Sequence, residues 1–170
     1  LENGAWTKRL HVGLSAHNAI YSLMFAGNGF LGAAEPIEGR FGYLNLYSEG
    51  DYDLSKAVDG LGNHFEVMDT AIKPYPCCRY NHGAIDAVIE IIKQELISPR
   101  TIKSIDVFLG PTAYTIVAEP EGLKRMPTNI VECQFSVFFA VAEAALNGTY
   151  SWNAYDHIDD IGHQKMMSRI

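Results

Sequence analysis

The 170-residue chain has no long hydrophobic run, although 48% of its residues are hydrophobic. A helix that spans a bilayer needs about 18 or more consecutive apolar residues. The longest apolar stretch, residues 135–146, is shorter than that and is interrupted by Glu143. The first ten residues also lack the apolar core of a secretory signal peptide. We therefore predict a protein with no membrane-spanning segment and no membrane partner.

Cysteine and basic residues are scarce as well. Three cysteines, of which Cys77 and Cys78 are adjacent, do not make a disulfide framework. This favours a reducing compartment, the cytoplasm or alternatively the mitochondrial matrix. The 13 lysines and arginines form no basic block and the formal net charge is −7, which argues against nucleic-acid binding. The glycines at residues 27–29 and 60–62 fit neither a dinucleotide site nor a phosphate-binding loop.

Apolar periodicity predicts four helices, which cover residues 8–26, 82–96, 129–146 and 156–169. Residues 65–76 are predicted to be extended, because Pro74 and Pro76 disfavour helix in the residues before them. A β-rich, alternating run predicts a strand at residues 101–109, and residues 113–117 form a second candidate strand.

This order of elements predicts an α+β protein in two parts. Residues 1–70 are expected to be a helical segment of a larger all-helical domain, and residues 71–170 a small α+β domain. The first part is too small and too rich in glycine to bury a core alone, so we expect it to pack on helices outside this sequence. The chain also begins without methionine, and we expect it to be a fragment of a longer protein.

Chemically versatile side chains are concentrated where the extended segment meets the second predicted helix. They are Lys73, Tyr75, Cys77, Cys78, Arg79, Tyr80 and His82. The backbone N–H groups at a helix start, a lysine and an arginine together suit a carboxylate. A histidine can transfer a proton near neutral pH, and a cysteine at a helix start can be a thiolate or a proton donor.

Simpler explanations stay open for the same residues. Adjacent cysteines are often small buried hydrophobic residues, and His82 can serve only to pack the helix entry. Cys77, Cys78 and His82 also supply three potential zinc ligands, although no second cluster follows them. Lys8 and Arg9 open the first helix, where cations are unfavourable, so they either hold an anion or form an exposed basic pair.

Four segments together resemble the MmgE/PrpD family, and the resemblance covers nearly the whole chain. The family's helical segment, with its basic start and glycine turn, is similar to TKRLHVGLSAHNAIYSLMFAGNGFLGAAEPIEGRFGY. Its best-known signature is similar to KPYPCCRYNHGAIDAVIEI: a lysine, Tyr-Pro, a cysteine or histidine, and then a histidine before small residues. A strand and a later helix of the family are similar to IKSIDVFLGP and KRMPTNIVECQFSVFFAVAEAALNG.

The resemblance implies a large helical domain and a small α+β lid domain with the active site between them, and a homodimer. It implies chemistry on a small di- or tricarboxylate without a metal or organic cofactor. Lys8, Lys73, Tyr75 and Arg79 are then the expected substrate-binding residues, and the expected catalytic residues are Lys73, Cys78 and His82. The family's acidic base and its partner histidine have no counterpart here, so we expect the isolated chain to be inactive.

Within the family, the sequence favours a carbon–oxygen lyase that dehydrates a 2-methylcitrate-like substrate. Decarboxylation of cis-aconitate and epimerisation are the alternatives, because these enzymes share the visible residues. Two further hypotheses are a non-catalytic, lid-like or degenerate module, which would show no turnover, and a zinc-binding module, which would carry stoichiometric metal.

Overall fold

The computed structural model describes residues 4–170, and these are organised as helices joined by loops. The α-helices within them are α1 (Thr7–Gly27), α2 (Tyr43–Tyr47), α3 (His82–Gln94), α4 (Pro111–Val117), α5 (Glu121–Arg125), α6 (Ile130–Gln134), α7 (Val137–Asn147) and α8 (Ile161–Met167). Short 3-10 helices cover Leu54–Ala57, Glu66–Asp69, Arg79–Asn81, Pro99–Thr101 and Trp152–His157. None of the helices in the described part of the chain is long and apolar enough to cross a membrane.

Two compact units can be separated, and residues 11–72 form one of them. The predicted first helix is confirmed as α1, and Gly27 ends it as expected. Its apolar side chains are not covered, since Ile20 and Leu23 are 60% and 73% exposed. Among the described residues, the buried hydrophobic core includes none from this unit.

The second unit comprises residues 4–10 and 73–170, and its core is built around α7. Every residue from Val137 to Ala145 is buried, so this helix is apolar on nearly all sides, as expected of a central helix. It packs against α3, α5 and α8. Ser136 caps its N-terminus, and Gly148 ends it in the left-handed conformation (φ 67°) that glycine adopts without a steric penalty.

The remaining predicted helices exist, but two of them are divided. Residues 82–96 are confirmed as α3, which buries Ile85 and Val88. Residues 129–146 form α6 and then α7, because Ser136 turns the chain and starts a new helix. Residues 156–169 contain the end of a 3-10 helix and then α8, because the side chain of Asp160 accepts the His163 N–H and caps a fresh helix start.

The extended stretch predicted at residues 65–76 is only partly extended. A 3-10 helix at Glu66–Asp69 interrupts it, and the turns after it carry the chain towards Arg79. The two prolines therefore prevent an α-helix, as predicted, but they do not impose a straight segment.

The predicted strands are not formed in residues 4–170. Residues 102–110 have no regular secondary structure, yet Ile105, Val107 and Leu109 pack partly on the core while Phe108 is 95% exposed. The side chains alternate between the core and solvent as in a strand, but no β-ladder of backbone hydrogen bonds forms among the described residues, because a strand needs a neighbouring strand to pair with. The second predicted strand is wrong: its residues lie in α4, which Pro111 starts because its fixed φ suits the first helical position.

Candidate functional site

The segment from Lys73 to His82 folds into a tight loop that leads into α3. The Lys73 ammonium turns back and donates a hydrogen bond to the carbonyl oxygen of Cys77 at 2.9 Å. The Cys77 N–H donates to the Tyr75 carbonyl at 2.8 Å. A short 3-10 helix, Arg79–Asn81, then runs directly into α3. The loop thus holds the lysine against its own backbone.

A cavity of about 310 Å³ opens beside this loop. Three cations line it: Lys8, Arg9 and Lys73. The rest of the wall consists of Ala5, Pro76, Cys77, Cys78, Val131, Gln134, Phe135 and Trp152. Because much of this wall is apolar, the cations act on an anion here more strongly than they would on an open surface.

Among residues 4–170, a ring and an amide rather than a carboxylate position the two cations from α1. The Lys8 ammonium lies 5.0 Å from the centre of the Phe135 ring, and Arg9 donates to the side-chain oxygen of Gln134 at 2.9 Å. Within residues 4–170, none of Lys8, Arg9 and Lys73 forms an ion pair with an acidic residue. The positive charge at the cavity is therefore available to a ligand.

Gln134, at the end of α6, connects the cavity wall to the loop. Its side-chain amide donates to the Pro76 carbonyl at 3.2 Å, and its own carbonyl accepts the N–H of Cys78 at 2.8 Å. The Tyr155 hydroxyl donates to the same Pro76 carbonyl at 2.6 Å. These bonds fix the loop from two sides.

Three of the six predicted site residues line the cavity, namely Lys8, Lys73 and Cys78. The other three, Tyr75, Arg79 and His82, do not. Arg79 is exposed at the start of the 3-10 helix. The structure thus places two predicted lysines and one predicted cysteine at the cavity. The other three predicted residues lie behind or beside the loop.

Tyr75 and His82 form a small cluster behind the loop. The Tyr75 hydroxyl donates to Asp86 at 2.5 Å, and this hydrogen bond, with some burial, raises the pKa of Tyr75 to about 12. The His82 ring meets the Tyr75 ring edge-on, with centroids 5.4 Å apart. Burial lowers the pKa of His82, and its Nε2 atom is buried without a hydrogen-bond partner. Burial therefore favours the neutral form of His82.

The adjacent cysteines are both buried, with exposed fractions of 4% for Cys77 and 9% for Cys78. Burial raises the pKa of Cys77 to about 12, so at neutral pH it is a thiol that can donate a proton but is not a nucleophile. In the described part of the chain, the side chains that converge as potential metal ligands do not include Cys77, Cys78 or His82. The geometry does not support a zinc site at this place.

Gln134 and Trp152 line the cavity although they were not among the predicted candidates. Cys77 was a candidate side chain without an assigned role, and Arg9 was predicted either to hold an anion or to form an exposed basic pair. Arg9 alone carried a signal, since a cation in the first turn of a helix is unfavourable unless something compensates it. Gln134 is separated from Arg9 by 125 residues, and no spacing in the sequence indicates that contact.

A small cavity with three converging cations defines a site suited to a compact anion with more than one acidic group. The chain belongs to the MmgE/PrpD family: the MmgE/PrpD C-terminal domain matches residues 75–170. The resemblance inferred from the sequence is thereby confirmed.

Two curated relatives are named cis-aconitate decarboxylase, and both are from Aspergillus terreus. The protein of strain NIH 2624 / FGSC A1156 is 26% identical over 110 residues, which cover 60% of this chain and 22% of the relative. The other is 28% identical over 91 residues, which cover 50% of this chain and 19% of the relative. The matched part of the chain thus spans about a fifth of the length of these relatives.

Proposed function

We propose that this chain is part of a cofactor-independent lyase that acts on a small di- or tricarboxylate. The observation that carries the proposal is the convergence of Lys8, Arg9 and Lys73 on one cavity, with no acidic partner within residues 4–170. Membership of the MmgE/PrpD family and the names of the two relatives support a lyase at a coarse level.

The three cations suit the charge and the size of such a substrate. A guanidinium such as that of Arg9 can hold one carboxylate in a two-pronged fashion, while the lysines act as point charges for the others. Ligand pockets usually have volumes of about 300–1,000 Å³, and this cavity of about 310 Å³ lies at the small end. The cavity therefore favours a compact acid over a nucleotide or an acyl chain.

Elimination or decarboxylation builds up negative charge on the carbon next to a carboxylate, and nearby cations stabilise that charge. In this proposal Lys8 and Lys73 orient and neutralise the substrate, and Cys78 at the wall transfers a proton. His82 keeps its predicted role as the alternative proton carrier, although in this chain its ring lies off the cavity wall. Tyr75 and Arg79 remain predicted substrate-binding residues, although in this chain they lie off the cavity wall.

Dehydration of a 2-methylcitrate-like acid is the first reaction to test. Decarboxylation of cis-aconitate is the second, and it is favoured by the names of the two relatives. Both need several carboxylates to be held while a bond next to one of them breaks, and the residues at the cavity suit either.

The proposal extends to the architecture of the complete protein. Residues 1–70 would belong to a helical domain and residues 71–170 to an α+β lid, in a cytoplasmic homodimer. The one-sided packing of residues 105–109 supports the lid: their inward side chains already lie on the core, and pairing with a second strand would form a two-stranded ladder.

The test is a comparison of turnover by the intact protein and by a Lys73→Met variant. Methionine keeps much of the side-chain volume and removes the charge, so we expect kcat/KM to fall by roughly a factor of 100 or more. Lys103→Met is the matched control, because Lys103 is exposed and lies outside the cavity. Equal activity of the Lys73 variant and the wild type, with either 2-methylcitrate or cis-aconitate, would remove Lys73 from the mechanism.

Binding can be measured separately from turnover. The unreactive tricarboxylate tricarballylate, titrated into the 170-residue chain by calorimetry, is expected to bind in low salt and to bind more weakly in Lys73→Met. No binding at millimolar concentrations, or unchanged affinity in that variant, would contradict the assignment of the cavity as the carboxylate site.

A further inference from the structure

Glu143 is a buried carboxylate that the proposed function does not use. It is the one charged residue of α7 and is 3% exposed. A buried carboxylate is costly unless hydrogen bonds or opposite charge surround it. The groups that compensate the burial of Glu143 therefore indicate its role.

Two histidine rings converge on one oxygen of Glu143. The Nε2 atom of His163 lies 2.6 Å from Glu143 Oε2, and the Nδ1 atom of His157 lies 3.0 Å from the same oxygen. The two rings are stacked, with centroids 4.7 Å apart. Three donor atoms from three separate elements, α7, α8 and a 3-10 helix, thus face one point.

A fourth residue fixes the orientation of His163. The Nδ1 atom of His163 lies 2.9 Å from Oδ1 of Asp160, and that same oxygen accepts the backbone N–H of His163 as the N-cap of α8. A carboxylate on one ring nitrogen holds the proton there and leaves the other nitrogen to face inward. Histidine ligands of metal ions are oriented in this way by an outer carboxylate.

We propose that Glu143, His157 and His163 bind one divalent transition-metal ion of the zinc class, with Asp160 as the positioning residue. Two imidazole nitrogens and one carboxylate oxygen are a ligand set that zinc accepts, with water as the fourth ligand. Donors around tetrahedral zinc are about 3.3 Å apart. The observed separations of 2.6 and 3.0 Å therefore need to widen by about 0.7 and 0.3 Å on metal binding.

The ion can enter from the His157 side. The His157 side chain is 38% exposed, whereas those of Glu143 and His163 are 3% and 6% exposed. Zinc binds neutral imidazole, so a proton carried by the Nε2 atom of His163 is released to solvent when the ion binds.

A second group of potential ligands provides an internal control. His64, Glu66 and Asp69 also lie within ligand distance of one another, but all three are exposed. Exposed side chains of this kind are free to turn to solvent, and no buried carboxylate or orienting partner holds them. We assign no site to them.

The test uses the 170-residue chain after dialysis against a chelator. Calorimetric titration with ZnCl2 is expected to give one ion per chain, and Co2+ is expected to produce visible absorption of a low-symmetry site. His157→Gln should weaken zinc binding at least tenfold, and His64→Gln should leave it unchanged. Absence of stoichiometric binding, or loss of binding in His64→Gln but not in His157→Gln, would overturn the proposal.

Asp160→Asn separates a metal site from a purely structural cluster. Asparagine caps a helix as well as aspartate does, so α8 should persist in circular dichroism, while the zinc affinity should fall by roughly 10–100-fold. An unchanged affinity would contradict the positioning role. If His157→Gln does not fold, NMR of the histidine rings in the wild-type chain provides the test. Zinc is expected to shift the ring resonances of His157 and His163. A shift confined to His64 would refute the site.

Discussion

Replacement of Ser136 by alanine tests how the start of the central helix is fixed. Ser136 is fully buried; its hydroxyl donates to the Lys124 carbonyl at 2.5 Å and accepts the Phe139 N–H at 3.0 Å. Loss of an N-cap costs about 1 kcal/mol. Loss of a buried donor to a carbonyl costs about 1 kcal/mol more. We therefore expect the free energy of unfolding to fall by about 2 kcal/mol.

Urea denaturation followed by tryptophan fluorescence measures this loss, because Trp6 and Trp152 both belong to the unit that contains α7. With a urea dependence of about 2 kcal/mol per molar, the midpoint should fall by about 1 M. Ser151→Ala is the matched control: this serine also caps a helix, accepting the Asn153 N–H at 3.3 Å, but it is exposed. Ser136→Ala should lower the midpoint more than Ser151→Ala, because only Ser136 also donates to a buried carbonyl. Equal shifts in the two variants would refute a stabilising role of that second hydrogen bond.

Three further predictions concern the loop and its supports. Tyr155→Phe removes the hydrogen bond to Pro76, so unfolding should become easier by about 1 kcal/mol and tricarballylate should bind more weakly. The pKa of Tyr75 is raised from 10.0 to about 12 in the folded chain, so as the pH rises Tyr75 ionises in the unfolded chain before it does in the folded one. The stabilisation that Tyr75 provides is therefore complete below pH 10 and is lost between about pH 10 and 12. Asp86→Asn should reduce this loss in alkaline unfolding curves. Because the pKa of Cys77 is raised from 9.0 to about 12, its thiolate fraction near pH 8 is lower by a factor of about 1,000. Mass spectrometry after brief iodoacetamide treatment should therefore find Cys77 unmodified in the folded chain and modified in urea.

Helices were predictable where one periodic apolar pattern met a clear stop. The predicted α3 and α1 match the structure because glycine, proline or a turn limits each pattern. The division of residues 129–146 was not predictable from periodicity, because the apolar pattern continues on both sides of Ser136 and only the capping geometry of that serine reveals a new helix start. Residues 102–110 show the opposite case: the pattern predicts the alternation of side chains, but pairing depends on a neighbour that a local pattern cannot supply.

The two lysines of the candidate site could be predicted from the sequence, but the residues that hold the loop in place could not. The resemblance placed Lys8 and Lys73 together, and they line the same cavity. Gln134 and Tyr155 hold the loop through contacts that span 58 and 79 residues. The cluster around Glu143 was equally hidden, although a single charged residue inside an otherwise apolar helix was a usable signal. Such a residue needs partners, and the histidines that follow α7 in sequence were the candidates.

The placement of Lys8 and Arg9 links the energetics of the fold to the proposed ligand. Both lie in the first turn of α1, which contains no acidic residue, and the helix dipole disfavours each cation there by about 0.3–1 kcal/mol. Lys73 adds a third positive charge at the same cavity, so the free protein carries repulsion that nothing in residues 4–170 cancels by ion pairing. A bound polycarboxylate reverses the sign of these interactions. Ligand at 100 times its Kd stabilises a folded protein by about 2.7 kcal/mol, which exceeds the combined dipole penalty of about 0.6–2 kcal/mol for Lys8 and Arg9. The cations are thus unfavourable for the fold alone and favourable once the cavity holds an anion.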